Sequence, residues 1–158
     1  MSVNHEYGTA FWHIPKTAGS SMGQLPFVTI GNRFPDGRLF PIAEKVLKSS
    51  PEWWPSYFKF AFVRHPLDRF VSAYHYFDQM GPVRIKALRP KRKRAVLAVK
   101  ACRTFNQFCG IFSRSNEICR DIHFKPQHSW ICDQDGNILA KNLRGAALEN
   151  KLEEIFGS

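Results

Sequence analysis

The sequence predicts an α/β fold built on a central parallel sheet. Residues 9–14 and 57–63 are apolar enough to be strands that are buried on both faces. A loop and a helical pattern follow each of them, and strand–loop–helix units of this kind assemble into parallel sheets. Residues 1–8 precede the first strand as a polar lead-in. Because ligands of such sheets bind beyond the carboxyl ends of the strands, we expect function in the two loops.

Proline residues delimit the first half of the chain. Pro15 ends the first strand, and the helix after the first loop is expected to be short because Pro26 cannot continue it. Residues 31–40 are turn-rich, and Pro41 suits the start of a helix that runs to about Ser49.

The second strand has the clearest pattern of the chain. Its alternating aromatic residues are Phe58, Phe60 and Phe62. Pro66 opens a helix that is predicted to run through about Phe77. The residues expected on the core-facing stripe of this helix are Leu67, Phe70, Val71 and Tyr74.

The remaining elements are predicted from periodicity and turn residues. They are a helix in two pieces over 95–112 with a break near Thr104, a loop over 113–125, a hairpin over 129–140 around Asp135-Gly136, and an amphipathic helix over 146–156. No repeat or linker divides the sequence, so we expect a single domain over residues 1–158.

Composition indicates a globular protein with an anionic partner. Of the 158 residues, 44% are hydrophobic, and the formal net charge is +10. Seven of the cations lie within residues 84–94. This basic run is either a solvated surface, a glycan-binding patch, or a nucleic-acid or localisation patch. A nucleic-acid-binding module is disfavoured because no recognition motif or aromatic stacking platform accompanies the run.

Several other classes are excluded by what the sequence lacks. The four cysteines form no Cys-x-x-Cys pair and have no zinc-binding spacing with histidine, so we expect free thiols and no metal. No segment has the apolar core of a signal peptide or the roughly 18 apolar residues of a membrane span. We therefore expect a soluble, cytoplasmic protein.

The first loop has the composition of an anion-binding cradle. Its residues are Lys16, Thr17, Ala18, Gly19, Ser20 and Ser21. Small residues let backbone N–H groups close around a phosphate-type group, and the positive end of the following helix adds to the attraction. The loop is not a Walker A sequence, because Lys16 precedes the glycine instead of following it.

The second loop contains a further candidate anion site. Arg64 leaves the second strand, and Ser72 lies about two turns along the next helix. An arginine and a serine placed in this way can share a phosphate, with the guanidinium supplying a fork of donors. Two anion sites at two strand ends predict a ligand with phosphate groups at both ends.

These stretches carry a family resemblance. Phe11 to Ser21 (Phe-Trp-His-Ile-Pro-Lys-Thr-Ala-Gly-Ser-Ser) resembles the 5′-phosphosulfate loop of the sulfotransferases, and Phe60 to Tyr74 (Phe-Ala-Phe-Val-Arg-His-Pro-Leu-Asp-Arg-Phe-Val-Ser-Ala-Tyr) resembles their 3′-phosphate motif. The resemblance is to the carbohydrate branch, with its heparan 2-O- and chondroitin-type enzymes, and to short microbial relatives. A weaker similarity covers Lys125 to Ile131, the turn at 133–136 and the final helix.

The resemblance implies a three-layer α/β/α fold related to nucleotide kinases. It implies the donor 3′-phosphoadenosine 5′-phosphosulfate (PAPS), no metal, and sulfuryl transfer to a hydroxyl or amine, with a glycan as the expected acceptor. By residue, Lys16 to Ser21 would hold the 5′-phosphosulfate, while Arg64 and Ser72 would hold the 3′-phosphate. Lys16 would also stabilise charge on the departing phosphate.

The general base is not identified by the resemblance. This branch often has a histidine between the two motifs, but residues 14–64 contain none, and Asn32 cannot act as a base. The candidates elsewhere are Asp36, Glu44, His13, His65 and His75. The missing histidine leaves open an alternative, a catalytically impaired protein of the same fold that binds the nucleotide without transferring the sulfuryl group.

Overall fold

The computed structural model describes residues 2–19, 52, 55–133, 135–139 and 141–143. The chain forms two compact units, the first made of Met1–Arg64 with Pro126–Ser158 and the second of His65–Lys125. The helices predicted over 41–49 and 146–156 lie outside the described residues. None of the helices within the described ranges is long and apolar enough to cross a membrane.

The described residues of the first unit form a four-stranded sheet. Its strands, in spatial order, are β1 (Ser2–Asn4), β2 (Thr9–Trp12), β3 (Phe58–Phe62) and β4 (Lys141–Leu143). β2, β3 and β4 are parallel to one another, and β1 is antiparallel to β2. The predicted α/β class and the parallel pairing of the two apolar strands are confirmed.

Aromatic packing across β2 and β3 forms the core of the first unit. Phe60, Ala61 and Phe62 are all buried, so β3 is covered on both faces as its composition predicts. The ring of Phe11 lies 5.2 Å from that of Phe60, centroid to centroid, and 6.0 Å from that of Phe62. These ring contacts join the two strands and support one register between them.

The polar lead-in prediction is wrong for residues 2–4, which form β1. The side-chain oxygen of Asn4 accepts hydrogen bonds from the backbone N–H groups of Glu6 at 3.0 Å and Tyr7 at 3.2 Å. Gly8 completes the turn with a φ of +58°. A three-residue strand is too short for a periodic signal, which is why the pattern missed it.

The second unit is helical. Its helices are α1 (Pro66–Asp78), α2 (Pro82–Lys86), α3 (Pro90–Lys100), α4 (Phe105–Phe112) and α5 (Asn116–Cys119). The first three begin with proline, whose missing N–H and fixed φ suit the first turn of a helix. The predicted start of α1 and its predicted end, within one residue, are confirmed.

The core-facing stripe predicted for α1 is partly wrong. Leu67 is 68% exposed and Val71 is 37% exposed, whereas Phe70 and Tyr74 contact the core as predicted. The buried side chains of the helix are Arg69, Ala73, Tyr74 and Phe77. The buried face is displaced because the helix packs on an aromatic cluster that lies far away in sequence.

That aromatic cluster is the core of the second unit. The ring of Phe124 lies within 5.5 Å of the rings of Phe77 and Phe108, centroid to centroid. Val96 and Val99 of α3 are fully buried against the same cluster. All of these residues belong to the second unit, which therefore has a hydrophobic core of its own.

The helix break near Thr104 is confirmed. α3 ends at Lys100 and α4 starts at Phe105, and the hydroxyl oxygen of Thr104 accepts a hydrogen bond from the N–H of Gln107 at 3.3 Å. This N-cap satisfies a backbone donor that the first turn leaves unpaired. The loop predicted over 113–125 is interrupted by α5, whose start is capped by Ser115.

The hairpin predicted over 129–140 is wrong in its first part. His128–Ile131 is a short helix, α6, of the first unit. The turn itself is confirmed, because Cys132 and Ile138 form an antiparallel bridge and Gly136 has a φ of +84°. The Asp133 carboxylate accepts hydrogen bonds from the side-chain amide of Asn137 and from the backbone N–H groups of Asn137 and Asp135, which lower its pKa.

Replacing Thr104 by alanine is expected to destabilise the second unit by about 1 kcal/mol, because α4 loses its side-chain cap. Urea unfolding followed by circular dichroism measures this change. Thr104→Ser is the matched control, since it keeps the capping oxygen and should retain most of the stability. Equal losses in both variants would contradict a capping role.

Candidate functional site

The two cationic loops predicted from sequence follow neighbouring parallel strands. Trp12 of β2 lies opposite Ala61 of β3 in the parallel register. Lys16 follows β2 and Arg64 follows β3, so both residues lie beyond the carboxyl edge of the sheet. The side chain of Lys16 is half-buried and that of Arg64 is exposed.

The first loop has an unusual backbone conformation. Lys16 has a φ of +71° and Ala18 a φ of +65°, the two positive values among the described residues other than glycine. Each such residue costs about 1–3 kcal/mol and persists where its surroundings enforce it, often at ligand-binding sites. Left-handed residues that alternate with right-handed ones can turn successive N–H groups toward one point, which is the geometry of an anion-binding nest.

Thr17 lies between these two residues and fixes the loop from within. Its side chain is 3% exposed, and its hydroxyl donates a hydrogen bond of 2.8 Å to the carbonyl of Ile14. The hydroxyl proton is therefore used inside the loop, and the backbone N–H is the group that Thr17 can offer to an anion. Ser20 and Ser21 lie outside the described residues.

His13, one of the candidate bases, directly follows β2 and lies beside the first loop. Its ring stacks on Phe11 at a centroid distance of 6.2 Å and an interplanar angle of 19°. A Cβ on Gly19 would lie 1.9 Å from the His13 Nε2, although the φ of Gly19 is outside the left-handed region. A side chain at this position would therefore have to displace the imidazole of His13.

The backbone of Arg64 is held by two hydrogen bonds to one side chain. Its N–H donates to the Oε1 of Gln127 at 3.0 Å, and its carbonyl accepts from the Nε2 of Gln127 at 2.8 Å. The guanidinium forms no hydrogen bond or ion pair with any residue between 55 and 133. Ser72, predicted to bind the same phosphate, is a half-buried residue of α1 in the second unit.

Arg69 is a buried cation that sequence analysis missed. Its side chain is 4% exposed, and its Nη2 donates to the carbonyl of Lys125 at 2.9 Å. Burial lowers the pKa of Arg69 to about 10, so the group remains charged at neutral pH. Arg69 lies four residues before Ala73 and eight residues before Phe77, which places it on the buried face of α1. This helical spacing is the sequence signal that could have identified it.

Only some of the candidate general bases lie within the residues that the structure describes. His65 is exposed at the N-cap of α1, and His75 is exposed in its last turn. Asp36 and Glu44 lie outside the described residues. The assignment of a general base therefore stays a prediction.

The basic run forms parts of α2 and α3. The guanidinium of Arg84 lies 5.1 Å from the ring centroid of Tyr76 and donates to the Tyr76 hydroxyl. Arg94 forms an ion pair with Glu117. The first turn of α3 contains no acidic residue, so its cations face the positive end of the helix dipole uncompensated within that turn.

Neither a disulfide nor a cluster of metal ligands is found among the described residues. All four cysteines are free, as predicted. No group of three or more His, Cys, Asp or Glu side chains in residues 2–19 and 55–133 is arranged to hold a metal ion.

Comparison with known proteins identifies the family. Residues 1–156 match the family model described as the sulfotransferase family. The chain belongs to this family. No curated protein and no solved structure matches the chain. The family match covers both cationic loops of the sulfotransferase and confirms the resemblance of residues 11–21 and 60–74 at the level of the family.

The steric conflict between a side chain at position 19 and His13 of this sulfotransferase can be tested. Gly19→Ala is expected to destabilise the protein by about 1–3 kcal/mol, because the new methyl group must displace the stacked imidazole. In a His13→Ala background the same change should cost little, since the obstacle is gone. Urea unfolding of the two single variants and the double variant measures the coupling. A cost for Gly19→Ala that is equal in both backgrounds would show that His13 is not the obstacle.

Proposed function

We propose that the protein transfers the sulfuryl group of PAPS to a hydroxyl or amine of a carbohydrate acceptor. The observation that carries this proposal is the presence of two cationic loops after neighbouring parallel strands, one of them with two residues at positive φ. A nucleotide with phosphate groups at its 5′ and 3′ positions has the charge pattern that two such loops would recognise. Membership of the sulfotransferase family supports sulfuryl transfer in general.

In this proposal the first loop binds the 5′-phosphosulfate. The positive φ values of Lys16 and Ala18 turn the backbone N–H groups of residues 16–19 toward the anion. Ser20 and Ser21 would add hydroxyl donors. The buried bond between Thr17 and Ile14 keeps the backbone in this conformation without the ligand, so little ordering would accompany binding.

Arg64 and Ser72 are proposed to bind the 3′-phosphate. The exposed guanidinium of Arg64 can donate two parallel hydrogen bonds to phosphate oxygens. Ser72 would add a hydroxyl donor. The 3′-phosphate would distinguish PAPS from common adenine nucleotides, because these lack a phosphate at that position.

The chemical step requires charge stabilisation on the donor side. The acceptor oxygen or nitrogen forms a bond to sulfur while the bond between sulfur and the 5′-phosphate oxygen breaks, and the electron pair remains on that oxygen. Lys16 would donate a hydrogen bond to this oxygen as its charge develops. The acceptor proton passes to a general base, for which Asp36, Glu44 and His65 are the candidates.

A carbohydrate acceptor is favoured by charge. The net charge of +10 and the basic run over 84–94 are suited to acidic glycans. The main alternative is a protein that binds the nucleotide but transfers nothing, since no histidine lies between the two motifs.

Replacing Lys16 by alanine is expected to lower kcat by about 100- to 1,000-fold, as the loss of one preorganised donor does at other sites of developing charge. The change is measured with labelled PAPS and a panel of oligosaccharides. Affinity for the product adenosine 3′,5′-bisphosphate should fall less than kcat. Unchanged kcat in Lys16→Ala would contradict the proposed role.

Replacing Arg64 by alanine is expected to weaken binding of adenosine 3′,5′-bisphosphate by about 10- to 100-fold, because a charge-assisted pair of hydrogen bonds is lost. Calorimetry measures this affinity. Arg114→Ala is the matched control, since it removes the same charge from an exposed residue. Equal losses in both variants would indicate a general effect of charge and would contradict a 3′-phosphate site at Arg64.

The same variants distinguish sulfuryl transfer from nucleotide binding. Bisphosphate binding that depends on Arg64, together with sulfation of an oligosaccharide, would support the enzyme. Binding without transfer to any acceptor would instead support the catalytically impaired alternative.

A further inference from the structure

We propose that Gln127 is the positioning residue of Arg64 and thereby sets affinity for the 3′-phosphate. The inference rests on the proposed function, in which the Arg64 guanidinium binds that phosphate. Its basis is the pair of hydrogen bonds that one side-chain amide makes with a single backbone residue, at 3.0 Å and 2.8 Å. Sequence analysis assigned no role to this glutamine.

The geometry of the pair resembles that of an antiparallel strand. An extended residue presents its N–H and its carbonyl on the same side, and a partner residue in a sheet bonds to both groups. The amide of Gln127 supplies one acceptor and one donor in the same arrangement. Gln127 therefore acts as a one-residue strand partner for Arg64.

Arg64 needs such a partner because it lies beyond the sheet. β3 ends at Phe62, and its pairing with β4 ends at the same residue. The Arg64 side chain is exposed and forms no hydrogen bond or ion pair with a described residue that would orient it. Its direction is consequently set by its backbone, which the two hydrogen bonds restrain.

Gln127 is itself firmly anchored. Its carbonyl accepts a hydrogen bond from the N–H of Trp130 at 3.0 Å, and Trp130 and Ile131 of α6 are buried. The hydroxyl of Ser129 donates to the carbonyl of Pro126 at 2.6 Å. A side chain that starts from a fixed backbone loses less entropy when it forms its two bonds.

Two nucleotides that differ at the 3′ position test the proposal. Gln127→Met keeps the length of the side chain and removes both hydrogen bonds. We expect about tenfold weaker binding of adenosine 3′,5′-bisphosphate, since two partly exposed hydrogen bonds are lost. Binding of adenosine 5′-monophosphate, which lacks only the 3′-phosphate, should change by less than about twofold because the first loop is untouched.

Gln107 provides a matched control. Its Oε1 accepts a hydrogen bond of 2.8 Å from the N–H of Arg103, so it also restrains an arginine backbone, but it belongs to the second unit and to neither cationic loop. Gln107→Met should leave both affinities unchanged. In an Arg64→Ala background, Gln127→Met should cause no further loss of bisphosphate affinity, because the side chain that it positions is gone.

The outcomes separate this inference from the proposed function. If Arg64→Ala weakens bisphosphate binding and Gln127→Met does not, the positioning role is wrong and the site stands. If Gln127→Met weakens the binding of both nucleotides equally, Gln127 contributes only to general stability and the inference is overturned. If Arg64→Ala itself leaves bisphosphate affinity unchanged, the proposed 3′-phosphate site fails, and the positioning role fails with it.

Discussion

Parallel hydrogen bonding between β2 and β3 places Trp12 opposite Ala61, and the proposed roles of both cationic loops depend on that register. A slip of one residue would move one loop along the sheet by about 3.3 Å and reverse the faces of every side chain of that strand. The buried rings of Phe11 and Phe60 oppose such a slip, because they would lose their contact. Packing of the aromatic rings within the sheet thus fixes the strand register from which the loops of Lys16 and Arg64 extend.

The strained backbone of the first loop is maintained by contacts on both sides of it. Lys16 and Ala18 adopt conformations that L-residues rarely take. The buried bond from Thr17 to Ile14 closes the loop from below, and the His13 ring occupies the space beside Gly19. These local contacts offset the cost in stability of the left-handed residues, so the loop would need little rearrangement to bind the proposed anion.

Features encoded by local sequence were predicted well. The start of α1 at Pro66 and the break at Thr104 follow from proline and capping chemistry, which acts within a few residues. The positions of Lys16 and Arg64 beyond adjacent strands follow from the α/β pattern.

Features that depend on distant residues were not predictable in this way. The buried face of α1 is set by Phe108 and Phe124, and the restraint on Arg64 comes from Gln127. None of these three residues is near its partner in the sequence. β1 was missed for a different reason, because three residues are too few to show a period.

The order of the strands has a consequence for synthesis on the ribosome. β4 pairs with β3, yet residues 63–140 separate the two strands, and the whole second unit is translated between them. That unit is continuous and rich in local helical contacts, so it is suited to early and rapid folding. The sheet of the first unit is completed late, and until then β3 exposes an unpaired edge that a nascent chain must protect from aggregation.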